Sequence, residues 1–348
     1  MSGRPGYIIG VPDTFHSNDH RPRDGWPLGR VALVGLLAIG AAVLFASHPP
    51  NDLLASPFGG DSRRDSVSSV SSLPGAFGVS GEVRLQLRLP QEHFDFPVRL
   101  TGQSEEAQYQ WVKAEDSVIV SPLAPLVGTA VAAPVRPGFY RLAVMRPDGR
   151  TIVDSILVGV MVPFSEKLGA SLNGYRIGNY RWERSQEQST PPKGFVEVFP
   201  ENAELPVSVH FRVADFITHD GQDRWPKYVA LDTRLLDKVE LVMRYLGSRD
   251  HDITMDVHSG FRTPLYNLRV PRAASDSRHQ YGDAADVAID VDGDGRMSYL
   301  DGLAVAHAVE LVERDHPDLA GGLGLYGNRG TGAYVHIDVR GARKRWRG

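Results

Sequence analysis

The stretch Ser277-Arg278-His279-Gln280-Tyr281-Gly282-Asp283-Ala284-Ala285-Asp286, with Tyr334-Val335-His336-Ile337-Asp338-Val339 further along, decides the reading of this 348-residue chain. His279 and Asp286 stand seven positions apart, and Gly282 between them permits a sharp turn. His336 is flanked by β-branched residues in an alternating run, the period of a strand. Two imidazoles and one carboxylate are a ligand set that leaves one position of a tetrahedral zinc ion open. The same residue types also make ordinary hydrogen-bonded surface pairs, so on spacing alone both readings stand. The chain contains no cysteine, which excludes disulfides, thiolate metal sites and cysteine nucleophiles together. Any transition-metal site here has to be built from histidine and carboxylates.

Working outward, Leu231–Leu246 places Leu231, Leu235, Val239, Val242 and Leu246 three or four residues apart, which predicts an amphipathic helix. Leu300–Arg314 repeats the pattern, and Asp252–Val257 and Ala285–Ile289 read as strands. Helices beside a small antiparallel sheet give an α+β expectation for residues 206–348. Residues 163–205, with Gly, Asn, Pro and several aromatics, read as an irregular connector. In 81–162, strict alternation from Glu82 to Leu89 and two β-rich runs, Phe139–Met145 and Thr151–Val162, predict an all-β, sandwich-like module. Arg146-Pro147-Asp148-Gly149-Arg150 supplies the hairpin signal between those two runs. No reactive constellation stands out in the module, whose expected role is spacing or contact with a protein partner.

Residues 48–80 are rich in Ser, Pro, Gly and Asp, the composition of a flexible tether. Before them, Val31–Ala46 is free of charge, within a span assigned to 31–47, and Arg21, Arg23 and Arg30 precede it. That asymmetry predicts a single-pass anchor with residues 1–30 in the cytoplasm and the remainder in the periplasm or outside the cell. A cleaved signal peptide is the alternative. A net charge of −4 argues against a nucleic-acid partner. The basic tail Arg340–Arg347 reads as a solvated end or a contact with anionic polymer.

Ser277-x-His279-x-x-Gly282-x-Ala284-x-Asp286 followed by Val335-His336-Ile337-Asp338 resembles the D-alanyl-D-alanine carboxypeptidase family of zinc peptidases. That family belongs to the fold group shared with lysostaphin-type endopeptidases and the hedgehog signalling domain. His258-Ser259-Gly260-Phe261-Arg262-Thr263-Pro264-Leu265-Tyr266-Asn267 is similar to a further element of the family, in family order, and the likeness covers about 206–348. The resemblance implies that His279, Asp286 and His336 bind Zn2+. It implies that Arg262 meets the substrate, and that the activity is hydrolysis of peptidoglycan stem or cross-link peptides. A departure bears on the proton acceptor. The best-understood members carry an acid three positions before the last histidine, where Ala333 stands here. Asp338 is then the catalytic candidate, either approaching the metal or orienting His336, with Asp283 and His258 weaker candidates. The alternative is a non-catalytic, metal-stabilised wall-binding or scaffold protein.

A second motif follows. Asp290, Asp292, Asp294, Arg296, Ser298 and Asp301 occupy positions 1, 3, 5, 7, 9 and 12 of an EF-hand-type loop, with Gly295 at the sharp turn. This predicts a structural Ca2+ site between a strand and a helix. An acidic solvated turn is the plain alternative.

Overall fold

The computed structural model describes residues 69–72, 77–101, 107–185, 189–247, 253–328 and 332–348. Strands dominate: of the described residues, 34 % are in strands and 21 % in helices. The α+β expectation is therefore corrected to a mostly β fold. Its cause lies in short strands that periodicity over long windows passes over, many of them within stretches read as tether or connector.

The first strands are β1 (Ser69–Ser72), β2 (Leu85–Arg88), β3 (His93–Asp95), β4 (Val98–Thr101) and β5 (Gln108–Lys113). They are followed by β6 (Ala124–Pro125), β7 (Ala130–Ala132), β8 (Gly138–Arg146), β9 (Gly149–Ile152) and β10 (Leu157–Val160). The main sheet runs β2-β10-β8-β5-β6, with β9 on β8, and β2 lies parallel to β10. The hairpin expected at 146–150 is present, closing on Arg146 opposite Gly149. Trp111 anchors the core of this module, edge-on to Phe96 and Tyr109, and its indole N–H donates to Ala132 O at 2.8 Å. Such buried aromatics contribute the largest apolar areas of a small core. Part of the expected tether is ordered: β1 pairs antiparallel with β4, and Phe77 is buried.

The expected irregular connector also contains strands. These are β11 (Val162–Pro163), β12 (Ser171–Leu172), β13 (Tyr175–Arg176) and β14 (Gly194–Val198), with a short helix α1 (Trp182–Ser185) between β13 and β14. β14 pairs with β11 and with β15 (Lys227–Val229), so the stretch closes a three-stranded sheet.

Beyond it come α2 (Thr233–Leu246), β16 (Met255–Ser259), α3 (Pro264–Asn267), β17 (Ala284–Ile289), α4 (Tyr299–Asp315), β18 (Gly322–Asn328), β19 (Gly332–Asp338) and β20 (Lys344–Arg347). The sheet order is β16-β17-β19-β18-β20, antiparallel except that β20 runs parallel to β18. The small all-antiparallel sheet is thus corrected to a mixed one, and the last part of the basic tail, Lys344–Arg347, is its edge strand and largely exposed. Arg343 and Arg345 pair with Glu310 and Glu313 of α4, which fixes that edge.

α4 packs on β17, β18 and β19 and against α2. Alternation along each strand divides the side chains. Val335, Ile337, Leu323, Leu325, Val287 and Ile289 are buried in the core, each fully burying about 1.5–3 kcal/mol of apolar transfer energy. Residues of the other parity, among them Asp286, Tyr326, Tyr334 and His336, line the opposite face.

Among the described residues no helix is long and apolar enough to cross a membrane, so the expected single-pass membrane location is not supported. The apolar run 31–46 lies outside the described residues, as do residues 1–30.

Candidate metal centre and cleft

Register builds the site. Asp286 on β17 is the direct cross-strand partner of His336 on β19, which sets the two side chains side by side on one face. His279 arrives from a single 3-10 turn, Arg278–Tyr281, just ahead of β17. Gly282 ends that turn in the left-handed conformation, φ +72°, where a Cβ would meet Ala230 O at 2.2 Å. Only glycine brings the chain round there without displacing the segment that leads into α2. Arg278 and the buried Asp283 pair across the turn.

The three candidate ligands converge. His279 Nε2 lies 3.2 Å from Asp286 Oδ1 and 3.1 Å from His336 Nδ1, and His336 Nδ1 lies 2.9 Å from Asp286 Oδ1. A tetrahedral ion with bonds of about 2.0–2.1 Å has ligand–ligand edges of roughly 3.3 Å. The outer ring nitrogens are held as well. His279 Nδ1 is 2.7 Å from Gly260 O, and a carbonyl only accepts, so Nδ1 carries the proton and Nε2 presents its lone pair. His336 Nε2 faces Asp338 Oδ2 at 3.1 Å, which leaves Nδ1 directed at the cluster. Two imidazole lone pairs and a carboxylate meeting in a buried space repel one another unless a cation or a proton lies between them. These residues fit a divalent ion.

The electrostatics agree. Burial alone would raise the Asp286 carboxyl, but the His279 and His336 rings outweigh it and hold the group well below the usual carboxylate range. Burial pushes His279 down against the pull of Asp286. For His336 burial also acts downward, but bonds to Asp286 and Asp338 on either side outweigh it and raise the ring.

The cluster opens into a cleft of about 670 Å³. Arg262 lines it, bonded through Nη2 to Asp286 Oδ2 and through Nε to Ser259 Oγ at 2.7 Å. Arg272, Arg278, Arg340 and Lys344 add positive charge to the walls, and Tyr326, Tyr334 and Trp346 supply aromatic surface. Tyr326 and Tyr334 stack with centroids 4.7 Å apart and planes 7° from parallel. Trp346 lies 5.1 Å from the His336 ring and donates its indole N–H to Tyr326 OH at 2.6 Å. Gly324 makes room for it, since a Cβ there would meet the indole at 2.4 Å.

No family model matches this chain. No curated protein matches it either. Among solved structures, Sidekick-1 immunoglobulin domains 1–4 are similar over 23 % of this chain and 21 % of that chain, at 12 % identity and a TM-score of 0.16. That score is too low to indicate a shared fold. The match spans about a fifth of that chain's length.

Against the sequence expectations, the structure brings His279, Asp286, His336 and Arg262 together. Asp338 is not among the residues that line the cleft. It is fully buried behind His336, bonded to that ring, to Gly322 N at 2.6 Å and to Arg340, and so acts on the cluster through His336. We expect Asp338→Asn to lower zinc affinity about 10–100-fold while leaving the fold intact, which metal titration with circular dichroism checks. Asp283 is committed to Arg278, and His258 is an exposed neighbour of Asp256 at 3.5 Å. Ala333 is buried under Gly302 of α4, so an acid at that position would face the helices rather than the cluster.

The acidic loop is brought together in part. Asp290, Asp292 and Asp294 place carboxylate oxygens within 4.8 Å of one another. Asp290 accepts from the backbone N–H groups of Gly293, Asp294 and Gly295, which folds the loop. The side chains of Ser298 and Asp301 form a capping box at the start of α4. Ser298 Oγ accepts from Leu300 N and Asp301 N, and Asp301 accepts from Ser298 N at 2.7 Å and Val291 N at 2.9 Å. Arg296 donates its N–H to Asp294 Oδ1 at 2.8 Å.

Sequence reasoning missed the aromatic wall. Its signal was the period of two: Tyr334 precedes His336 by two on one strand, and the tail alternates Lys344, Trp346, Gly348. The β-module carries another hollow, about 630 Å³, walled by Tyr109, Trp111 and Tyr140 and flanked by Lys113 and Arg136.

Proposed function

We propose that this chain is a zinc peptidase that hydrolyses peptidoglycan stem or cross-link peptides, with His279, Asp286 and His336 as the metal ligands. The observation that carries the reading is the triangle of ligand atoms 2.9–3.2 Å apart, opening onto a cationic cleft. When bound, zinc would supply a polarised carbonyl and a water of lowered pKa. Asp338 and Gly260 O hold the two imidazoles in the tautomers that leave lone pairs inward. Arg262, held by Ser259 and Asp286, presents positive charge at the cleft wall, where it stabilises negative charge on a carbonyl oxygen or binds a substrate carboxylate. The basic rim suits peptides that end in, or carry, free carboxylates.

A metal-stabilised binding protein is the second reading, and one observation favours it. Among the described residues, the cleft carboxylates Asp276 and Asp286 are both engaged, the first by Tyr281 and Ser189, the second by the histidines and Arg262. Incubation of the purified chain with wall fragments, with zinc content measured on the same sample, separates the two readings. Release of D-alanine or of opened cross-links that depends on zinc supports the peptidase. Stoichiometric zinc without turnover on any fragment supports the binding protein.

Calcium is proposed as a structural ion on Asp290, Asp292 and Asp294, stiffening the segment between Asp286 and α4. Removing calcium is expected to lower both the thermal midpoint and the zinc affinity. If chelation selective for calcium leaves both unchanged, the loop is an acidic turn and no more.

A further inference from the structure

A cluster outside the cleft has the composition of a metal site. Glu82, His210 and Glu240 each place a ligand atom within 4.8 Å of the others. We propose that they form a second divalent-cation site, one that fastens the start of the β-module to α2.

The argument starts with Glu240. Its side chain is fully buried in α2, yet among the described residues no lysine or arginine pairs with it. Its Oε1 accepts the His210 backbone N–H at 2.9 Å and its Oε2 lies 2.6 Å from His210 Nδ1. A buried carboxylate without a full counter-charge is costly. Glu82 adds a second carboxylate to the same imidazole. Strand-like bonds hold it there: Val209 N donates to Glu82 O at 3.1 Å, and Val83 bridges to Ser208. Arg244, one turn after Glu240, donates to Glu82 Oε1 at 3.0 Å and to Ser80 O, so it offsets one of the two negative charges and leaves the other to the His210 ring alone. One imidazole and two carboxylates suit zinc or a similar first-row ion, with water completing the shell. The half-exposed His210 ring gives the ion a way in.

The site joins residues 82, 210 and 240, which are distant in sequence. Close by, Asp237 accepts the Val79 and Ser80 N–H groups at 2.8 Å each. A cation here would therefore lock an existing seam between the module and the helix that supports the cleft sheet.

The test uses the full chain stripped of metal and titrated with zinc chloride in calcium-containing buffer, followed by calorimetry and thermal unfolding. Two tight zinc equivalents are expected for the wild type; His210→Ala and His279→Ala should each keep one at full affinity and weaken the other about 10²-fold or more, and the double variant should keep neither at full affinity. Zinc should raise the thermal midpoint of His279→Ala and leave that of His279→Ala/Glu82→Gln unmoved. Glu82 is partly exposed, so its variant tests the site even if His210→Ala fails to fold. A single wild-type equivalent that is weakened in His279→Ala would overturn the proposal, as would an equivalent of unchanged affinity in His279→Ala/Glu82→Gln. Neither outcome depends on turnover at the cleft.

Discussion

His279→Ala is expected to weaken zinc binding at the cleft by roughly 10²-fold and to remove measurable hydrolysis of wall peptides. Structural zinc sites are worth about 10–16 kcal/mol, so one ligand in four carries about 3 kcal/mol, or roughly 10²-fold. The geometry argues that the loss is not shared out. His279 is fully buried, its ring is already fixed by Gly260 O, and among the described residues its cluster holds just Asp286 and His336 besides. The fold should survive, because the 3-10 turn is held independently by Gly282 and by the Arg278–Asp283 pair. Zinc titration and peptide release on the same preparation check both halves. Undiminished zinc affinity in the variant would show that the cluster is a hydrogen-bonded triad and not a metal site.

Glu313→Leu is expected to destabilise the protein by about 3–5 kcal/mol, measured by urea unfolding. Lys238 of α2 and Glu313 of α4 are both fully buried and bonded at 2.7 Å. Burial pushes Lys238 below the ordinary lysine value, against the opposing pull of Glu313. Without Glu313 the ammonium keeps only Asp338 O, at 2.8 Å. The reverse change should cost less, about 1–2 kcal/mol for Lys238→Met, because Glu313 retains Arg343, Arg345 and Gly321 N. The double variant should recover part of the loss. Because Lys238 also bonds β19 at Asp338, two positions from His336, the single changes are expected to loosen the cleft along with the fold.

The convergence of His279, Asp286 and His336 was legible through the family resemblance, since spacing alone left an ordinary surface pair equally open. Asp286 and His336 lie in alternating strands, and His279 lies just before a glycine that must turn. The two long helices were legible by their apolar stripes. What escaped had no local signature. β20 is charged and short, and becomes a strand because β18 offers an edge and α4 offers Glu310 and Glu313 as partners. The strands of the connector are two to five residues long and are fixed by distant neighbours, as Val196 is by Val229. Asp338 read as reaching the metal or as bracing His336, and its bonds to Gly322 and Arg340 put it behind that ring. Ala333 looked like a missing catalytic acid, whereas strand parity turns that position toward α4. The apolar run 31–46 and the segment before it lie outside the described residues.

Strand parity has a further consequence. Tyr334, His336 and Asp338 share one side of β19, and Ala333, Val335 and Ile337 the other. A single-residue insertion between Gly332 and Tyr334 that shifted β19 by one would exchange the two sets wholesale. Imidazole and carboxylate would be driven into the greasy layer beneath α4, and valine and isoleucine would be left facing the cleft. Site and core here have a common checksum: a chain that mispairs this one strand loses the pairing of His336 with Asp286 and its apolar layer in the same step, so no form with that strand out of register can carry the assembled cluster.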